Sequence, residues 1–152
     1  MANTQAMCTS FLGELMTATH NFTTGTGNTF KGALYLASAT VNASTTAYSS
    51  TGEVTGTNYT AGGVTVTNGT SPLSTNTSTT AGTGYWTPSA SITYTNVTLG
   101  TAFDAVLIYN SSASNKAVSV HTFGSQTVTA GTFTLTMPSN TTSTALLRLA
   151  TT

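Results

Sequence analysis

The sequence predicts a mainly β protein, an antiparallel β-sandwich led by one N-terminal α-helix. Three observations carry this. Short runs of apolar residues, several of them alternating, recur from residue 31 onward. Gly, Ser and Asn turns separate them. Threonine, a β-branched residue that suits strands and wets a surface without charge, fills roughly a quarter of the 152 positions. Immunoglobulin-like and jelly-roll-like arrangements fit the pattern equally well. The length suits one domain, 1–152.

The helix comes first, over about residues 4–19. Met7, Phe11, Leu15 and Ala18 recur at helical spacing, with Cys8 and Leu12 widening the stripe. Asn3 or Thr4 can cap its start, and Asn21 can stop it. "KGALYLAS" (31–38) is apolar on both faces and reads as a central strand. "GGVTVTN" puts Val64 and Val66 on one face. Residues 68–84 have almost nothing to bury and read as a long Thr-rich loop; the alternative is a pair of polar edge strands. In "SASITYTNVTLG" the apolar phase changes between Tyr94 and Val97, which predicts a bulge near Thr95 and Asn96. "AFDAVLIYN" and "KAVSVHTF" read as core strands joined by the hairpin loop "SSASN". "SQTVTA" and "TFTLTM" follow as further strands, and "TALLRLA" closes the chain.

Charge excludes several functions. Three basic and three acidic residues give 4% charged content and no net charge, against about 25% in an ordinary domain. Lys31, Lys116 and Arg148 are too few and too dispersed to neutralise phosphates, so neither nucleic acid nor an anionic membrane is an expected partner. The opening residues lack the regions of a signal peptide, and no apolar run reaches the length of a membrane span. A chain with so few surface ions tends to associate.

Catalytic chemistry is not expected either. The imidazoles are His20, placed at the helix end where the dipole favours it, and His121, placed in a strand as a surface or interface residue. Glu14, Glu53 and Asp104 fall in a helix, a turn and a strand, so no acid–base pair is predicted; Asp104 is expected to pair with Lys116 across the hairpin. Cys8 reads as a buried apolar residue that makes no disulfide. Cys8, His20 and His121 match no metal-ligand spacing, "GTGNTFKG" is not a phosphate loop, and no cofactor is expected. Candidate interface residues remain: Met7, Phe11 and Leu15 on the helix, and Leu73, Tyr85 and Trp86 around the Thr-rich stretch. Each has a plain alternative in core packing.

The segments "MCTSFLGELMTATHNF", "STTAYSSTGEV", "GTNYTAGG" and "AVLIYNSSASNKAV" resemble a family of small virion proteins of tailed bacteriophages. The likeness covers nearly the whole chain outside the Thr-rich stretch and carries no catalytic motif. It implies a structural protein made in the host bacterial cytoplasm and incorporated in the virion: a capsid decoration or cement protein. Its implied partners are the major capsid protein, or another virion protein, and copies of itself. The alternative is a tail or fibre module that serves assembly or host-surface binding. A small hydrolase is the third possibility, and it would depend on the two histidines.

Overall fold

The computed structural model describes residues 2–77 and 80–151. The chain is mainly β, with two antiparallel sheets and one short helix. In order, the elements are β1 (Ala6–Met7), α1 (Thr9–Met16), β2 (Phe30–Leu36), β3 (Val64–Thr65), β4 (Leu73–Thr77), β5 (Thr80–Trp86), β6 (Ile92–Asn110), β7 (Lys116–Leu135) and β8 (Leu147–Ala150). The larger sheet runs β1-β7-β6-β2-β3 and the smaller β4-β5-β8.

The larger sheet holds the core. Residues with both faces covered must be apolar, and Val106, Leu107 and Ile108 on β6 are fully enclosed, as are Ala33 and Leu34 on β2. Two expected strands merge into β6, and three merge into β7. The Gly- and Ser-containing breaks between them are irregularities in one long ribbon rather than turns. The register slips between Tyr94 and Val97, where Asn96 takes φ 52°, and again between Leu99 and Ala105. "SSASN" turns the ribbon, with Ser114 and Asn115 at positive φ.

The helix is shorter than its pattern predicts. Ala6 and Met7 pair with Val120 and Ser119 instead of joining it. Cys8, fully buried, stands at the N-cap position, and the helix ends at Met16, with Thr17 at its C-cap. The Thr-rich stretch is corrected too. Residues 73–77 and 80–86 are the antiparallel strands β4 and β5, so the paired-strand alternative to a loop describes them. Thr and Gly supply the strand backbone, and β8 covers the far edge of β5 by pairing Leu147 with Trp86 and Leu149 with Gly84. Residues 78 and 79, inside that stretch, lie outside the described residues.

Phe22 joins the two sheets. Its ring stacks on Phe30 of β2 at 4.3 Å and lies 4.8 Å from Trp86 of β5. Asn68 ties the same seam: its side-chain amide donates to the Phe22 carbonyl at 2.9 Å and accepts from the Trp86 indole at 3.1 Å.

Candidate functional site: polar anchors and an apolar groove

Two carboxylates organise the polar interior. Glu14, on α1, accepts from Lys116 Nζ at 2.6 Å and from His20 Nε2 at 2.7 Å. Burial pushes its carboxyl up, but the hydrogen bonds from Lys116 and His20 outweigh that and hold it below the ordinary value. Lys116 therefore serves Glu14, not Asp104. The expected pair across the hairpin does not form, because Lys116 is in register with Asn110 and Asp104 lies six residues further along β6, roughly 20 Å away. Asp104 instead accepts from the Asn3 side chain at 2.6 Å.

The same network fixes His20, whose side chain is fully buried. Asn110, also enclosed, contacts His20 Nδ1 through Nδ2 at 3.1 Å. An amide nitrogen can only donate, so Nδ1 accepts and the ring proton sits on Nε2, facing Glu14. Asn110 is itself oriented by the Ser112 amide and Asn28 Oδ1. Both ring nitrogens are thus occupied, and neither is left to take a proton from a nucleophile. Burial, with the Glu14 charge adding to it, pushes the Cys8 thiol up to about 11, well away from a reactive thiolate. The cluster pins α1 and the following loop to the β6–β7 hairpin.

Glu53 is 6% exposed, and among the described residues it forms no ion pair. Its oxygens accept from Tyr48 Oη at 2.6 Å, Tyr59 Oη at 2.7 Å and the Gly62 amide at 2.8 Å. Burial, then the hydrogen bonds to Glu53, push both phenols far up. Gly62 also accepts from Tyr109 at 2.8 Å. Gly63 takes φ 70°, where a Cβ would collide with the Gly32 carbonyl, so "TAGG" is bound to the sheet edge by backbone contact. Sequence reading placed Glu53 in a turn and missed this anchor; the tyrosines spaced around it were the available signal.

The candidate interface residues converge more than their separation in sequence suggests. Five of the six, Phe11, Leu15, Leu73, Tyr85 and Trp86, line one apolar groove between α1 and the smaller sheet. Met7, on β1, is not among its walls. Phe22, Pro72, Gly84, Leu147 and Leu149 complete the lining. Trp86 is 2% exposed and also donates to the Thr70 carbonyl at 3.0 Å, so it is chiefly a core residue with one surface on the groove. The cavity, about 140 Å³, exists because Gly84 puts no side chain in the row that contains Trp86, while its neighbours Leu147 and Leu149 do. A Cβ at Gly84 would meet only the Leu149 carbonyl, at 3.9 Å.

Among the described residues, no three His, Cys, Asp or Glu side chains converge, and no helix is long and apolar enough to cross a membrane. In comparisons with known proteins, no family model, curated protein or solved structure matches this chain.

Proposed function

We propose that this chain is a structural component of a tailed-phage virion, a decoration or cement protein that binds the assembled capsid shell and stabilises it. The sequence likeness motivates the reading, and one structural observation carries it: the distribution of charge. Of the six charged side chains, Glu53 is buried and Glu14 and Lys116 bind each other. That leaves Lys31, Asp104 and Arg148 on an otherwise hydroxyl, amide and apolar surface. Such a surface suits broad contact with a protein lattice and offers little to a charged ligand. Binding to the finished shell and not to its free subunits would stabilise the shell by mass action.

The test is co-sedimentation of the purified chain with empty capsids, followed by imaging. Saturable binding in many copies over the shell is expected, changing little between about 0.05 and about 0.5 M salt, because few ions are there to be screened. A chain that stays in the supernatant would sink the proposal. Density confined to one pole would favour the tail or fibre module instead. That alternative draws on Tyr85 and Trp86 as aromatics beside a polar run, and of these Trp86 is buried in the core.

A further inference from the structure

We propose that Asn68 and Gly69 form a self-deamidation site, masked by a clamp on Ser89 and by the seam between the sheets, and unmasked when the smaller sheet lets go. The inference does not depend on the shell reading. Among the chain's asparagines only Asn68 is followed by glycine. That pairing is the reactive one. The backbone nitrogen after an asparagine can attack its side-chain carboxamide. Glycine has no Cβ, so it neither shields that nitrogen nor resists the backbone angles that ring closure needs. Water is the sole co-reactant. The Gly69 nitrogen loses its proton and bonds to Asn68 Cγ; the Cγ–Nδ2 bond breaks and ammonia leaves. Water then opens the cyclic imide at one carbonyl to give aspartate, or at the other to give isoaspartate.

The fold needs a glycine here and also holds it still. A Cβ at residue 69 would collide with the Ser89 side chain. The Gly69 amide donates to Ser89 Oγ at 2.9 Å, and that hydroxyl donates onward to the Thr67 carbonyl at 3.2 Å. The Ser89 amide donates to the same carbonyl at 3.0 Å, so Ser89 clips both ends of the turn. The carboxamide is held as well, by the Phe22 carbonyl on Nδ2 and the Trp86 indole on Oδ1. Attack requires Asn68 Cγ to swing onto the Gly69 nitrogen, which breaks both of these bonds. Gly69 is exposed and Asn68 half-buried, so water reaches the site and hydrogen bonding, not burial, protects it. The product does not fit the seam. Aspartate can still accept from Trp86, but it has no N–H for the Phe22 carbonyl and sets a carboxylate oxygen against it. Isoaspartate lengthens the main chain inside the clamp. Reaction in an opened chain therefore makes the opening hard to reverse.

The experiment is peptide mapping by mass spectrometry of the full chain, held in mildly alkaline buffer with and without guanidinium chloride. Deamidation at Asn68 should run at least about tenfold slower in buffer than in denaturant, since only the open fraction of the folded chain reacts. Ser89→Ala removes the clamp. It should speed the reaction severalfold in buffer and leave the rate in denaturant unchanged, with circular dichroism checking that the variant folds. Asn68→Asp carries the product directly and should melt about 5 °C below the parent. Equal rates in buffer and denaturant, an Asn68 that stays intact in denaturant, or a Ser89→Ala chain no faster than the parent in buffer would each overturn the proposal. So would an Asn68→Asp chain as stable as the parent. An Asn68→Asp chain that fails to fold would be the stronger form of the expected result, and the parent's two rates test the site without it.

Discussion

On β6 of the larger sheet, Leu107 is fully enclosed, whereas on β8 of the smaller sheet Leu149 leaves 44% of its surface to solvent. The same side chain does different work in the two places. In the first it removes apolar area from water during folding; in the second much of that area stays in water and adds little to stability. The smaller sheet has two edge strands, and among its described residues only Trp86 and Leu147 are buried. It is held to the rest of the molecule by Phe22, Trp86 and Asn68.

The contrast can be broken most severely at that join. Trp86→Ala should cost about 3–5 kcal/mol in urea unfolding, because it opens a cavity between the sheets and leaves Asn68 and the Thr70 carbonyl without their donor. Leu107→Ala should cost about 2–5 kcal/mol, while the same truncation at Leu149 should stay within about 0.5 kcal/mol. Equal losses at the two leucines would erase the distinction between the sheets. Glu53→Gln is expected to cost about 1–3 kcal/mol, since the new amide cannot accept from all three donors; a neutral result would mean the tyrosine cluster holds the loop without its carboxylate.

A smaller effect belongs to pH. Burial pushes the His121 imidazole down to about 4 from an ordinary 6.5. In that window the unfolded chain takes up a proton that the folded chain refuses, so stability falls as pH drops from about 6.5 to about 4. The melting temperature should show this slope, and His121→Gln should flatten it. The depressed carboxyl of Glu14 acts in the same direction, and its contribution is lost as pH falls below the ordinary carboxylate value, 4.5, and through its lowered folded value.

These particular residues show what can be read from the chain alone. Strand phase was legible in the alternation, down to the slip between Tyr94 and Val97. Strand length was not, because "GS" and "AG" read as turns and an extended ribbon can absorb them as bulges. The 68–84 stretch has Leu73 as its one aliphatic side chain, yet threonine's β-branching and pairing on both sides of β5 make residues 73–77 and 80–84 strand. Five groove residues were legible, Phe11 and Leu15 from the helical stripe and Leu73, Tyr85 and Trp86 from their place beside the Thr-rich run. Gly84 was missed because a recess is the absence of a side chain, and nothing in the string marks an absence. The ion pair of Glu14 and Lys116, 102 positions apart, needed the fold itself.

Trp86 is the chain's single tryptophan, and it sits where the two sheets meet. Its emission therefore gives an optical gauge of that seam. A red shift that precedes the loss of far-ultraviolet ellipticity during a denaturant ramp would time the release of the smaller sheet, with no label attached.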